Sequence, residues 1–558
     1  MQQQTFVSVP SIYPKLIEIR KSKTVEFKPN KFFKETTKLR YYQVVGALHM
    51  MLLDRMVLGD ACGLGKTISG LAAYSYLLEK DPTVRLLVVC TKSAMYQWAE
   101  EVQKFFNGIT TRVVSNEFNG MTGYTARKTQ YDLFKENIMV INYAPTLEEY
   151  ETISSAMGAN YMVILDEVTA VKSMKTKTHF GCKFICDRAR RVYGLSATII
   201  KNGLEEVYGI YDVIVPGLFG RITRFRESFC QQRLINIVVK GKQRKIPKTV
   251  GYKNLGKFKT IIDPYFLGRK KEEVADELPK LISHKIILEM LPEQKDLYKQ
   301  ALTGILYEEK IKHEYFEVMD MVRLGATDEK TVKKYEELKV KYDRFATTEG
   351  KKRGKLAALT YCQMVSNGPA LLNQPGASSK EEELERLLTE ELITEKIIVY
   401  SRFSSGIPYL EIICERHHIL YTKITGDDSG FERDIAKKRF QEDPNYRVIF
   451  ITAAGSESLN LQAAGVIIFY DTPWSYGDLA QTIGRAQRIG SIQSHVLLIH
   501  LVNKGSIDVR VMSRVTDKKD LSDEILGDTA KGALSFASHE DSVVDDLFSD
   551  IIHDAESL

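Results

Sequence analysis

The stretch Leu58–Thr67, LGDACGLGKT, constrains the fold of this chain more than any other feature. It follows the apolar run Met56–Leu58 and precedes a segment with helical periodicity, Ile68–Leu78. A strand, a glycine-rich turn and a helix in this order form the context in which backbone N–H groups and a helix N-terminus hold phosphate. On its own, the stretch is also compatible with a strand-to-helix turn that holds no ligand.

Each residue of this phosphate loop has a role in that interpretation. Gly63 and Gly65 allow the backbone N–H groups to curl around phosphate oxygens. We expect Lys66 to reach the terminal phosphates and Thr67 to place its hydroxyl on Mg²⁺. The strict form of the pattern has glycine where this chain has Asp60, so a second motif is needed to decide between the two interpretations.

A pair of carboxylates supplies that second motif. The apolar run Tyr161–Leu165 ends in Asp166 and Glu167. Adjacent carboxylates at the end of a buried strand are costly unless they hold a cation and a proton. We expect Asp166 to bind Mg²⁺ together with Thr67, and Glu167 to be the catalytic base that aligns the attacking water. A solvated strand end explains the pair alone but fits poorly once the loop is present, so the two motifs predict an ATPase with ATP and Mg²⁺ as cofactors.

An arginine pair completes the expected catalytic set. The segment Asp478–Gly490 has helical spacing, which places Arg485 and Arg488 on one face and Gln481 one turn earlier. Guanidinium groups brought from another domain would stabilise charge on the transferring phosphoryl group. In an isolated domain the same arginines would be an ordinary surface pair.

Gln43 is the candidate residue for adenine recognition. It lies on the amphipathic segment Leu39–Leu53, just ahead of the phosphate loop. A side-chain amide carries a donor and an acceptor and can therefore read the adenine edge. A surface glutamine on an amphipathic helix is the alternative.

Polar residues at strand ends are the candidate nucleic-acid contacts. Three apolar runs, 85–91, 396–401 and 447–452, each end in hydroxyl or cationic side chains. Such groups suit the phosphate oxygens of a nucleic-acid backbone. The predicted contacts are Thr91, Lys92, Ser401, Arg402 and Thr452 at these strand ends, together with Trp98 on the helix that follows the first run.

Two charged segments point to partners. Residues 221–259 form a basic tract with interleaved aromatic residues such as Phe225 and Tyr252, which favours phosphate contacts over a solvated charged face. The last segment, 539–558, is acidic and carries apolar residues at helical spacing. It is interpreted either as a disordered tail or as an amphipathic helix that docks on a partner protein or on the basic tract.

Composition limits the class of protein. A chain of 558 residues with 44% hydrophobic and 27% charged residues can bury several cores. Its seven cysteines, without a CxxC pair, indicate reduced thiols. No apolar run reaches the roughly 20 residues of a membrane span, and the N-terminus lacks a signal-peptide pattern. We expect a soluble intracellular protein without a membrane partner.

Taken in order, the motifs resemble those of superfamily-two helicases, and among them the Swi/Snf-type (Snf2-like) DNA translocases. FLGRKKEEVADELPK resembles the inter-lobe linker of that family, and RAQRIG followed by HVLLIHLVNKGSID resembles its closing signature. The acidic box differs, because it reads DEVT where the family usually ends in histidine. The other similar stretches are LRYYQVVGAL, LGDACGLGKT, VVCTKSAMYQWAEE, GLSATIIKNGLEEVYGI, KIIVYSRF and ITAAGSESLNLQAAGVIIFYDTPWS.

The resemblance implies an α/β fold of two tandem RecA-like parallel-sheet lobes with a largely helical insert between them. It also agrees with the roles given to Gln43, the phosphate loop, the carboxylate pair and the arginine pair. The expected domains are an N-terminal arm (1–36), a first lobe that binds ATP (37–216), a basic and helical insert (217–375), a second lobe (376–515) and an acidic tail (516–558).

The function implied is that of a compact, phage- or bacterial-type motor that hydrolyses ATP to move along or remodel duplex DNA and protein–DNA complexes. A strand-separating DNA or RNA helicase is the first alternative, and an ATP-dependent DNA-binding scaffold without turnover is the second. The expected partners are duplex DNA before RNA, and a protein at the acidic tail. We expect a monomer in the cytoplasm of a bacterium or of a phage-infected host.

Overall fold

The structure is a computed structural model, and it describes most of the chain between residues 11 and 513. The predicted acidic tail lies outside the described residues, and so do residues 454–459 of the stretch ITAAGSESLNL. The described residues are 11–197, 199, 203–239, 242–274, 279–302, 314, 315, 317–319, 321, 322, 329–344, 348–453, 460–474, 476–488, 491 and 493–513.

The first lobe is built on a seven-stranded sheet in which every pair of neighbouring strands is parallel. Its spatial order is β11-β1-β8-β7-β2-β6-β3. The strands are β1 (Arg55–Leu58), β2 (Arg85–Cys90), β3 (Thr111–Val113), β6 (Ile138–Asn142), β7 (Tyr161–Asp166), β8 (Arg191–Leu195) and β11 (Phe266–Leu267).

Both faces of this sheet are covered. Successive residues of β2 belong to different cores, since Leu86 and Val88 pack in one and Leu87 and Val89 in the other. Continuous apolar strands are the sequence pattern that a doubly covered parallel sheet requires. The surrounding helices are Tyr41–Leu52, Lys66–Lys80, Met95–Phe105, Gly123–Asp132, Tyr150–Met157, Lys177–Arg188 and Leu204–Ile214, and a small hairpin pairs β4 (Glu117–Phe118) with β5 (Met121–Thr122).

The second lobe repeats this architecture with a six-stranded parallel sheet of order β12-β17-β16-β13-β15-β14. Two cores again share alternate residues of one strand. Two parallel sheets, each between helices, confirm the predicted fold class. The strands are β12 (Lys280–Leu288), β13 (Ile397–Tyr400), β14 (Leu420–Ile424), β15 (Tyr446–Ile451), β16 (Val466–Phe469) and β17 (His495–Asn503), and the helices are Ser379–Arg386, Ile407–Arg416, Gly430–Glu442 and Tyr476–Ala486.

The segment predicted as an insert, 217–375, is divided between the two lobes. Within it, β11 pairs with β1 of the first sheet, and β12 pairs with β17 of the second. Neither strand was expected, because β11 has two residues and β12 is largely exposed. The other elements are the hairpin of β9 (Cys230–Val239) and β10 (Lys242–Tyr252), and the helices Ile222–Phe229, Leu255–Ile262, Lys271–Val274, Pro292–Leu302, Glu329–Arg344 and Thr348–Asn367.

The described part of the predicted arm packs on the first lobe. Helix Tyr13–Lys21 buries Leu16, and Arg20 forms an ion pair of 3.0 Å with Asp263. Arg20 and Asp263 are 243 positions apart in the sequence, so local periodicity could not predict this contact. In the part of the chain that the structure describes, no helix has the length and apolar character needed to cross a membrane.

Candidate nucleotide site between the two lobes

The phosphate loop has the strand–turn–helix geometry that its sequence predicts. β1 ends at Leu58, and the helix begins at Lys66. Gly63 and Gly65 have positive φ angles of 89° and 81°, which L-residues with a Cβ rarely adopt. The ammonium group of Lys66 donates to the carbonyl of Asp60 at 2.8 Å, across the concave side of the turn.

Gln43 lies against this loop. Its Nε2 donates to the carbonyl of Leu64 at 3.2 Å, and its Oε1 accepts from the backbone N–H of Arg40 at 3.0 Å. These two bonds fix the amide at the start of helix Tyr41–Leu52, beside the loop. Its role in adenine recognition remains a prediction.

Asp60, the residue at which the loop departs from the strict pattern, is held by a residue that sequence reasoning missed. Arg269 binds both carboxylate oxygens of Asp60 through Nε and Nη2, the former at 2.9 Å. The Asp60 side chain is only 2% exposed and that of Arg269 only 10%. Arg269 reaches Asp60 because β11, two residues before it, pairs with β1. The available signal was the arginine in FLGR, the stretch likened to a linker.

The carboxylate pair lies at the end of β7, as expected. Burial, followed by the negative charge of Glu167, raises the pKa of Asp166 to about 6. The Lys66 ammonium opposes this rise. The loop and the acidic strand end lie at the same edge of the sheet, because β1, β8 and β7 are neighbouring parallel strands. Glu167 has a left-handed φ of 53°, and its Oε2 accepts from the Ser196 hydroxyl at 3.4 Å. Strained backbone of this kind clusters at functional sites.

These groups fit a hard divalent cation. A buried carboxylate beside a second carboxylate is an unfavourable arrangement that a bound cation offsets. Mg²⁺ is commonly held by one or two protein oxygens, with the rest supplied by phosphate and water. Asp166 and Thr67 would hold the ion, whose chemistry would be to neutralise charge on the phosphoryl oxygens.

The second lobe brings the segment that carries Arg485 and Arg488, here called the arginine segment, to the phosphate loop. A Cβ placed at Gly484 would lie 2.8 Å from Sγ of Cys62, so helix Tyr476–Ala486 packs closely on the loop. Arg488 interacts with the Cys62 side chain, and burial lowers the pKa of its guanidinium. Arg485 is 5% exposed, and Gln481 is half-buried on the same helix.

The geometry of the arginine pair differs from the prediction in one respect. The helix ends at Ala486, so Arg488 lies just beyond it and is not one helical step from Arg485. Its Nε donates to the Gly484 carbonyl at 3.0 Å, which turns the side chain back towards the helix end. In the sequence, Gly484 was the residue that could have indicated a close approach of this helix to the phosphate loop.

Three of the predicted nucleic-acid contacts are accessible. Lys92 is exposed, and Thr91 is half-buried within 3.1 Å of the Ser93 hydroxyl. Arg402 is exposed, donates to Gln363 at 2.8 Å and lies over the Trp474 ring. Their contact with nucleic acid remains a prediction.

The side chains of the other three predicted contacts are buried, and their contact with nucleic acid remains a prediction. Trp98 is 1% exposed, because its apolar ring packs in a core of the first lobe. Ser401 is 3% exposed, and its hydroxyl donates to Asp471 at 3.0 Å. Thr452 is 4% exposed. A strand-end position does not by itself show whether a side chain points to the sheet edge or into the protein.

The basic tract keeps exposed cations but not exposed aromatic residues. Phe225 and Tyr252 are buried, and Phe225 packs against Phe219 and Phe229 with ring centroids 5.1 and 5.3 Å apart. These rings form a core and are not surfaces on which bases stack. The exposed cations with described side chains are Arg221, Arg224, Arg233, Lys253 and Lys257.

The chain has the architecture of a two-lobed α/β protein with a candidate nucleotide site between its lobes. The first lobe carries the phosphate loop, and the arginine segment of the second lobe packs against that loop. The sequence matches the SNF2-related domain over residues 42–345 and the helicase conserved C-terminal domain over residues 379–490. The chain belongs to the SNF2-related family.

Individual relatives are distant. The mouse chromodomain-helicase-DNA-binding protein 1-like is 25% identical, over 88% of this chain and 50% of that protein. The yeast (Saccharomyces cerevisiae) ISWI chromatin-remodeling complex ATPase ISW1 is 22% identical, over 93% of this chain and 43% of that protein. The chain spans about half the length of the curated relatives it matches, or less. Among solved structures, the Sulfolobus solfataricus SWI2/SNF2 ATPase core in complex with dsDNA aligns over 94% of this chain and 99% of that chain, with 21% identity and a TM-score of 0.38.

Proposed function

We propose that the protein is a DNA-dependent ATPase that hydrolyses ATP to ADP and phosphate and uses the cycle to move along duplex DNA. The observation that carries this proposal is the approach of the arginine segment to the phosphate loop, through Gly484 and Arg488 against Cys62. A nucleotide held between two lobes links hydrolysis to their opening and closing.

In this cycle the residues have separate tasks. Lys66 and the backbone of the loop bind the phosphates, Glu167 aligns the attacking water, and Arg485 and Arg488 stabilise charge on the transferring group. Lys92 in the first lobe and Arg402 in the second are exposed at strand ends and would hold the nucleic-acid backbone. Relatives named as DNA helicases and DNA-binding proteins support DNA as the substrate. We propose a monomer that acts in a bacterial or phage-infected cytoplasm.

Steady-state ATP hydrolysis tests the activity, with no nucleic acid, duplex DNA, single-stranded DNA or RNA added. We expect strong stimulation by duplex DNA and an activity at least about 100-fold lower for Glu167→Gln, since a positioned base contributes about 10²–10⁴-fold. The matched control is Glu148→Gln, an exposed carboxylate of the same lobe, which should retain activity.

Movement is tested by displacement of a triplex-forming strand from duplex DNA. ATP-dependent displacement by the parent and none by Glu167→Gln is the expected result. Stimulation only by single strands or RNA, with strand separation from a loading end, would replace the proposal with the unwinding helicase. Absence of hydrolysis under every condition would replace it with the scaffold.

A further inference from the structure

Trp98 touches the cation site from inside the protein. Its indole N–H donates to Oδ2 of Asp166 at 2.9 Å. The other oxygen, Oδ1, accepts from the backbone N–H of Glu167 at 3.1 Å. Both oxygens of the carboxylate expected to bind Mg²⁺ are therefore oriented by protein donors. Partners of this kind fix the orientation of a ligand, and their removal commonly costs 10–100-fold in metal affinity.

The helix that carries Trp98, Met95–Phe105, is in contact with more than the cation site. It continues directly from a short turn, Lys92–Ala94, whose first residue is exposed. One turn after Trp98 lies Glu101, whose pKa is raised by burial, and the positive charges of Lys104 and of Arg488 in the second lobe oppose that rise. One helix of 11 residues thus follows the exposed Lys92, holds Asp166 by a hydrogen bond and lies within electrostatic range of Arg488.

We propose that Trp98 is a positioning residue that fixes Asp166 for Mg²⁺, and that helix Met95–Phe105 transmits nucleic-acid binding at Lys92 to the nucleotide site. The second half of this inference rests on the proposed function, whereas the first half does not. A buried hydrogen bond between a helix and a carboxylate transfers small shifts of the helix to the ligand, because close-packed interiors transmit strain.

The first test is the Mg²⁺ dependence of binding of a fluorescent ADP analogue, measured by anisotropy. Trp98→Phe removes the N–H donor and keeps an aromatic ring in the core. We expect its half-saturating Mg²⁺ concentration to rise by about 10–100-fold. The matched control is Tyr74→Phe, which removes a buried hydroxyl that donates to the Val84 and Asn137 carbonyls in the same lobe. Tyr74→Phe should leave the Mg²⁺ dependence unchanged.

An unchanged half-saturating Mg²⁺ concentration in folded Trp98→Phe would overturn the positioning role. An equal loss in both variants would do the same, since it would reflect a general weakening of the lobe. Circular dichroism and cooperative thermal unfolding establish that each variant is folded before nucleotide binding is compared.

The second test uses the two tryptophans of the chain. Trp474→Phe leaves Trp98 as the single tryptophan, which is excited selectively at a wavelength that tyrosine does not absorb. We expect its emission to change when a short duplex binds in the absence of nucleotide, and Lys92→Ala to abolish this change under conditions in which the duplex is still bound. Binding of the duplex, seen by anisotropy, without a change in Trp98 emission would overturn the transmission role.

The two failures can be distinguished. If the parent shows neither duplex binding nor stimulated hydrolysis, the proposed function and the transmission role fall together. The Mg²⁺ titration requires no nucleic acid, so the positioning role is then judged by that titration alone.

Discussion

At the scale of single residues, buried charges fix the geometry around the site. Asp60 and Arg269 form a nearly fully buried pair at the root of the phosphate loop. In the second lobe, Lys380 and Asp508 form another at 2.7 Å, with exposures of 0% and 1%. Removing one partner from such a pair is costly, because the remaining charge is left without compensation.

Arg269→Met should therefore destabilise the first lobe by about 3–5 kcal/mol. Chemical denaturation of variant and parent measures the difference. Lys504→Met is the contrasting variant, since Lys504 is 63% exposed and its partner Glu289 is 68% exposed, so that this pair lies at the surface. It should cost far less than Arg269→Met, because exposed ion pairs contribute little to stability. Equal costs for both variants would contradict the importance of the buried pair.

Glu381 gives a prediction about pH. Burial, opposed by a backbone hydrogen bond from Ser378, raises its pKa from 4.5 to about 7. The folded protein therefore binds the Glu381 proton more tightly than the unfolded chain does. The resulting stabilisation of the folded state is fully present below pH 4.5 and is lost as the pH rises through about 7. Glu381→Gln should be more stable than the parent at pH 8 by about 1–3 kcal/mol, with a smaller difference at pH 5.

Thermal unfolding at the two pH values measures this effect. The exposed Glu442→Gln serves as the control and should change stability by less than about 0.5 kcal/mol at either pH. A Glu381→Gln variant whose difference from the parent does not depend on pH would rule out the titration of Glu381 as its cause.

At the scale of elements, the turn between β1 and the following helix is the most demanding piece of backbone. Gly65 has a φ of 81°, and a Cβ there would lie 2.5 Å from Nε2 of Gln43. Two constraints thus meet at one residue, the left-handed conformation and the close approach of a side chain. Much of this element was predictable, because the glycines, the lysine and the flanking periodicity all lie within a short stretch of sequence.

Gly65→Ala should weaken ATP binding by at least about 10-fold, since about 1–3 kcal/mol of backbone strain and the displacement of Gln43 both disturb the loop. Titration of a fluorescent ATP analogue measures the affinity. Gly108→Ala is the control, because Gly108 has a φ of 70° but open space around its Cβ position. It should lose stability but keep its affinity for ATP. Equal affinities for the parent and Gly65→Ala would contradict the role of the loop.

At the scale of the whole molecule, the two lobes meet where hydrolysis is proposed to occur. Gly484 allows the arginine segment to approach Cys62 closely. Gln487, in the same segment, donates to the Pro279 carbonyl at 2.9 Å, near the start of β12. These contacts link the second lobe to the loop and to the segment that connects the lobes. The proposed catalytic set is therefore complete only when the lobes are close.

Gly484→Ala would place its Cβ 2.8 Å from Sγ and 2.9 Å from Cβ of Cys62, so the lobes would have to separate slightly. We expect DNA-stimulated hydrolysis to fall by at least about 10-fold while ATP binding to the first lobe is retained, since an arginine of this kind contributes about 10³–10⁵-fold. Adding Cys62→Gly removes both clashing atoms and should restore part of the activity. No rescue, or a loss of ATP binding in the single variant, would argue against a steric effect between the lobes.

The two parallel sheets, the phosphate loop and the carboxylate pair were predictable from the amino-acid sequence, because each depends on a pattern within a few neighbouring residues. The packing of distant segments places Arg269 on Asp60, 209 positions away, and buries Trp98 against Asp166. It also determines how closely Gly484 packs on Cys62. Local periodicity and motif spacing report the conformation of a segment, whereas such pairings depend on which faces are buried when distant segments pack together.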